Sequence, residues 1–184
     1  MSATAKIKVA TAWLGGCSGC HMSFLDLDER LLDLAKLVEF TASPITDVKE
    51  IPEVDVGIIE GAVCNDENEH VLRTMRARCK VLIALGDCAI MGNIPALRNQ
   101  FKLEEVVARG FVETESTQIG KMPGSNGNGE LPKLLKRVRP IHEIVNIDVF
   151  IPGCPPDAEA IWYAVTELLA GRVPQWNEAN LRYD

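Results

Sequence analysis

The chain has 184 residues, of which 47% are apolar and 24% charged, with a net charge of -7. A chain of this size holds one well-buried core and not two ordinary domains, so residues 1–184 are expected to form a single domain. Its acidity argues against nucleic acid or anionic lipid as the main partner, since both require a basic face. No apolar run approaches the roughly 20 residues that span a bilayer. The opening residues lead straight into a strand-like pattern, without the apolar core and cleavage site of a signal peptide, and the expected location is cytoplasmic.

Taken in chain order, residues 6–13 read as a first strand, β-rich and without breakers. Gly15 and Gly16 end it, and Gly19 keeps the next loop tight. From Ser23 the period becomes helical, with Phe24, Leu27, Leu31 and Leu34 at three-to-four spacing and Asp26, Asp28 and Glu29 in the early turns. Residues 37–42 form a short strand, closed by Ser43 and Pro44. Asp55 to Val63 reads as a buried central strand, and a polar helix follows over about 65–78. Lys80 to Gly86 and Ile147 to Ile151 are two further strands. The last helix is expected to start at Pro155 or Pro156 and to stop at Gly171. Residues 113–130 are polar and glycine-rich and are expected to form a long surface loop. Short apolar strands alternating with helices imply a parallel sheet covered on both faces. The expected fold is therefore α/β, doubly wound and mostly parallel, flavodoxin-like in layout.

In such sheets ligands bind beyond the carboxyl ends of the strands, and the six cysteines map onto that rule. Cys17 and Cys20 lie in the loop after the first strand, Cys64 ends the central strand, and Cys88 and Cys154 follow two later strands. Only Cys79 lies elsewhere, near a helix end. In a reducing compartment these are not expected to be disulfides. A four-iron cluster needs four thiolates, often a close pair plus others from separate loops. Cys17 and Cys20 supply the pair. Gly16, Gly19, Gly86 and Gly153 stand beside the candidate ligands, where glycine lets backbone N–H groups approach the sulfurs.

Other readings remain open on the residues alone. A structural zinc could use the same four thiolates, although zinc is more often held by small ribbons and knuckles. A thioredoxin-like pair at Cys17 and Cys20 would leave Cys88 and Cys154 without a role, and Cys64 stands as a further possible ligand. The glycine spacing fits neither G-x-G-x-x-G nor a P-loop. A flavin site in the first-strand loop competes with the two cysteines already there. His21 adjoins Cys20 and is either a cluster contact or a helix-start residue. Glu60 ends an apolar strand, where a carboxylate needs a partner. Trp13 and Trp162 read as core or interface residues.

Four segments carry a family resemblance: Trp13 to Ser23, Glu60 to Val63, Ala84 to Ala89, and Pro152 to Pro156. Together they resemble the small subunit of nickel–iron hydrogenases over nearly the whole chain. The 20-kDa cluster subunit of NADH:quinone oxidoreductase shares the fold unit, but typically has two adjacent cysteines where Ser18 and Gly19 separate Cys17 from Cys20 here. The resemblance implies one 4Fe-4S cluster on Cys17, Cys20, Cys88 and Cys154. It further implies a large-subunit partner with the Ni-Fe centre and a diaphorase module carrying FMN and NAD. A twin-arginine signal and a C-terminal domain with two more clusters mark the membrane-bound and periplasmic relatives. Neither is seen here, so the short, bidirectional, NAD-reducing type is expected. As a subunit of hydrogen:NAD+ oxidoreductase, the chain alone is expected to have no activity.

Overall fold

The computed structural model describes residues 5–46, 48, 50–115 and 131–181. Most of the loop expected at 113–130 lies outside them.

Five strands form the main sheet: β1 (Ile7–Trp13), β2 (Val38–Ala42), β3 (Val54–Glu60), β5 (Cys79–Leu85) and β7 (Val149–Ile151). Their order is β2-β1-β3-β5-β7, and every neighbouring pair is parallel. Counting these strands alone gives 2-1-3-4-5, the flavodoxin-like order expected from the alternating pattern. Alternate side chains serve opposite faces. On one face Ile58 and Ile83 join Leu27 and Leu34 of the first helical region and Ile161 near the chain's end. On the other, Ile59 and Leu82 pack on Leu72 and Met75. Both layers are thus covered, as unbroken apolar strands require.

Helix α3 (Asp66–Arg78) follows the sequence pattern closely. Asn65 caps it by accepting from the Asn68 N–H at 2.7 Å, acids fill its first turn, and Arg76 and Arg78 fill its last. Helix α7 (Ala158–Leu169) begins later than Pro155 or Pro156, because Asp157 is its cap and accepts from the Ala160 N–H at 2.6 Å.

Two further expectations needed correction. The single helix from Ser23 is two: α1 (Gly19–Leu25) and α2 (Arg30–Leu37), with Asp28 between them at φ 49°. Aspartate tolerates this left-handed conformation better than most residues. The break lets Leu27 and Leu34 both reach the core. The central strand ends at Glu60 rather than Val63. The chain turns at Gly61 (φ 85°), where a Cβ would lie 2.9 Å from the Leu14 carbonyl carbon. Beyond it, β4 (Val63–Asn65) pairs antiparallel with β6 (Leu134–Arg139) in a separate ribbon. The stretch between β5 and β6 holds elements the sequence pattern did not announce: α4 (Asp87–Met91), α5 (Asn93–Ala96), a 3-10 turn (Leu97–Gln100) and α6 (Leu103–Phe111).

Candidate functional site

The carboxyl ends of β1, β5 and β7 each hand the chain to a cysteine. After β1, Leu14 donates its N–H to Glu60 O at 2.8 Å, and Gly15 and Ala62 exchange N–H···O bonds at 2.9 and 2.8 Å. These bonds tie the ends of β1 and β3 together and fix where the next loop starts. Cys17 is exposed, while Cys20 already belongs to α1 and is buried. After β5, the Gly86 N–H donates to Ile151 O at 2.8 Å and the Asp87 N–H to Gly153 O at 2.9 Å. The Asp87 carboxylate in turn accepts from the Gly153 N–H at 2.8 Å. One aspartate therefore locks the Cys88 loop to the Cys154 loop. The Ser23 hydroxyl donates to Pro156 O at 2.5 Å, which docks α1 on the Cys154 turn. The peptide between Cys154 and Pro155 is cis.

The thiols sense one another. Burial is the main cause that pushes the Cys20 pKa far up, followed by the charge and hydrogen bond of Glu60, then by Cys88 and Cys17. Cys88 is also pushed up, first by burial and then by Cys154 and Cys17, while the Ile94 N–H works the other way. A Cβ on Gly86 would collide with the Cys20 sulfur, so the absence of a side chain there makes the room that Cys20 occupies. Among the described residues, no three His, Cys, Asp or Glu side chains converge closely enough to hold a single metal ion. The donor set, four cysteines on three loops of one sheet edge, suits a larger iron–sulfur group.

Beneath Cys20, Glu60 is only 2% exposed. Its Oε2 accepts from the His21 N–H at 2.9 Å. His21 Nδ1 also lies 3.3 Å from Oε2, but without hydrogen-bond alignment: both imidazole nitrogens and Glu60 Oε1 have no hydrogen-bond partner. The His21 ring meets Trp13 edge-on, with centroids 5.6 Å apart. His21 is thus part of the Glu60 cluster as well as a residue in the first turn of α1, and Trp13, 40% exposed, forms its outer wall. Trp162 by contrast is partly buried and packs against the core beneath Arg30, which lies 5.5 Å from its ring.

The remaining cysteines separate. Cys64 lies in β4 with its sulfur against Gly15; burial pushes its pKa up, and Arg98 is the charge that opposes this. Cys79 starts β5, at the amino end of the sheet, away from the other five. Sequence reasoning missed Asp87 as the tie between loops. It also missed Asn93, whose amide Nδ2 lies 3.1 Å from Cys154 Sγ. Two residues at positive φ, Gly92 and Asn93, make that contact possible, and apolar periodicity does not reveal such turns.

The sequence matches the family described as NADH ubiquinone oxidoreductase, 20 Kd subunit, over residues 17–168. It is 42% identical to the NAD-reducing hydrogenase HoxS subunit delta of Cupriavidus necator, across 97% of this chain and 86% of that protein. It is 40% identical to a subunit of the F420-non-reducing hydrogenase of Methanothermobacter thermautotrophicus, across 96% of this chain but only 58% of that one. A chain in the crystal structure of an NAD+-reducing nickel–iron hydrogenase, in its hydrogen-reduced state, superposes with a TM-score of 0.92 at 50% identity. That match covers 98% of this chain and 100% of the other. The chain belongs to the family of the NADH ubiquinone oxidoreductase 20 Kd subunit and, within it, to the hydrogenase subunits.

Proposed function

We propose that this chain is the electron-transferring small subunit of a cytoplasmic, NAD-linked nickel–iron hydrogenase, and that Cys17, Cys20, Cys88 and Cys154 hold one 4Fe-4S cluster. The observation that carries this reading is the delivery of four thiols, near enough to feel one another's charge, to one sheet edge by three strand-end loops. Such a cluster, when bound, takes up and gives up one electron at a time, which suits a relay between a hydrogen-splitting large subunit and an NAD-reducing diaphorase module. The chain's own residues supply the frame. Asp87 fixes Cys88 relative to Cys154, and Ser23 fixes α1, with Cys20, against the same turn. Cys17 and Cys154 form the exposed rim, where a partner would close the site from solvent.

The likeness to the HoxS subunit and to the NAD+-reducing hydrogenase chain favours a hydrogenase over a quinone-reductase complex. The Ser18-Gly19 spacer between the first two cysteines points the same way. The test is iron, sulfide, nickel and zinc content of the complex purified through this chain. Four irons and four sulfides on the small subunit, with nickel in its partner, are expected. Iron and sulfide without nickel in the complex would favour the quinone-reductase reading, and zinc without sulfide would remove the relay role.

A further inference from the structure

The turn between α4 and α5 does more than reverse the chain. Gly92 and Asn93 both take positive φ, 87° and 35°, and the Gly92 N–H donates to Cys88 O at 3.0 Å. The turn is thus anchored on one candidate ligand while its next residue reaches another. Asn93 Nδ2 lies 3.1 Å from the sulfur of Cys154, a residue 61 positions away. Glycine would satisfy this backbone as well as asparagine does. What asparagine adds is an amide that donates to sulfur. A metal-bound thiolate has no proton to give, so the amide nitrogen, not the oxygen, is the end that must face it.

We infer that Asn93 is a positioning residue for the candidate cluster, holding Cys154 by an N–H···S bond and raising the reduction potential of the site through that bond. The inference rests on the cluster reading above and concerns a residue that need not be a ligand. A donor aimed at a ligand sulfur stabilises negative charge there, and the reduced form carries one electron more than the oxidised form. The bond is therefore stronger after reduction and favours it.

The test compares the purified complex with its Asn93→Gly and Asn93→Asp variants by redox titration followed by electron paramagnetic resonance. Glycine removes the donor and keeps the turn, while aspartate also tolerates positive φ and replaces the donor by a negative acceptor. At the wild-type midpoint, the reduced-to-oxidised ratio should fall about threefold in Asn93→Gly, a downward shift of roughly 28 mV at 59 mV per tenfold for one electron. The fall should be larger in Asn93→Asp. Unchanged midpoints in both variants would overturn the inference. Loss of iron from both, with an unaltered circular-dichroism spectrum, would overturn it too, because Asn93 would then only retain the cluster. Cys154→Ala, titrated in parallel, separates the two layers. Wild-type iron and signal in that variant would sink the ligand assignment itself. An altered signal there, with unshifted Asn93 variants, would sink the role of Asn93 alone.

Discussion

Replacing Gly86 by alanine should damage the cysteine site before it damages the fold. Gly86 follows β5 at φ 81° and ψ 162°, a region that side-chain-bearing residues almost never enter. Holding alanine there costs about 1–3 kcal/mol. The new Cβ would also collide with the Cys20 sulfur and lie 3.4 Å from Gly153 O. Cys20 is buried, so its sulfur has little room to retreat, and overpacking of this kind costs about 1–3 kcal/mol more. The sum, about 2–6 kcal/mol, corresponds to a fall in Tm of at least about 4 °C for a chain of this size. Gly171→Ala is the control. It shares a positive φ of 74° but meets nothing within 4 Å, so it carries backbone strain without a collision. Thermal unfolding together with iron content of the purified complex reads both effects. Gly86→Ala should lose iron and unfold earlier, whereas Gly171→Ala should keep its iron. Full iron content in Gly86→Ala, with a Tm within 1 °C or so of wild type, would refute the claim that this position is reserved for the cysteine's approach.

Three further outcomes are expected. Cys64→Ala and Cys79→Ala should keep the iron of the wild-type complex, and Cys17→Ala and Cys88→Ala should lose it; iron analysis of the four variants decides. Leu72→Ala, at a fully buried position between α3 and the sheet, should cost about 2–5 kcal/mol in denaturant unfolding. The third concerns Asp148, whose carboxylate accepts from the Leu82 N–H at 2.7 Å and from Arg76 at 2.6 Å. Burial works to raise its pKa, but these two partners together outweigh it and the net direction is downward. A lowered pKa means stability that is present above the ordinary carboxylate value and lost as pH falls through the folded one. The Asp148 side chain is 44% exposed, so solvent screening holds the effect to about 1 kcal/mol or less. Asp148→Asn should therefore be less stable than wild type at pH 6, and the difference should shrink toward pH 3; a gap that stays constant over that range would contradict the assignment.

The sequence made the strands and the cysteine positions legible for one physical reason. A parallel strand buried on both faces must be short and continuously apolar, as Val81 to Leu85 is, and the loop at its carboxyl end must then carry what lies at the site. Cys17, Cys20, Cys88 and Cys154 could be placed at the sheet edge from that rule alone. The break at Asp28 could not, because Leu27, Leu31 and Leu34 keep helical spacing across it and one left-handed residue leaves no periodic trace. The β4–β6 ribbon was equally hidden. Its first strand has three residues, and its second, Leu134 to Arg139, is rich in charge and half exposed. The Asp87–Gly153, Ser23–Pro156 and Asn93–Cys154 bonds join residues more than 60 positions apart. Pattern within a window of the sequence does not contain such pairs.

The charge balance at the sheet edge explains why so many of these bonds end on or beside a cysteine. Four thiols gather where Glu60, already buried, adds a carboxylate beneath them. Cys20 registers the cost, since burial and then Glu60 raise its pKa well above that of an ordinary thiol. On the cluster reading, binding would displace such protons, and assembly of the site would be coupled to their release. Around the other three cysteines the donors are N–H groups rather than cations. Gly19 donates to Cys17 Sγ at 3.4 Å, the Ile94 N–H acts on Cys88, and the Asn93 amide reaches Cys154. Arg98, the guanidinium beside Cys64, is instead turned to the carbonyls of Cys64 and Leu135. On the same reading, fixed dipoles would stabilise charge on sulfur without pairing with it, so no counterion would have to move on reduction. A lysine or arginine reaching the same sulfurs would need its own desolvation and would change the net charge of the exposed rim. The loops that carry the cysteines thus also direct N–H dipoles at three of them, Cys17, Cys88 and Cys154.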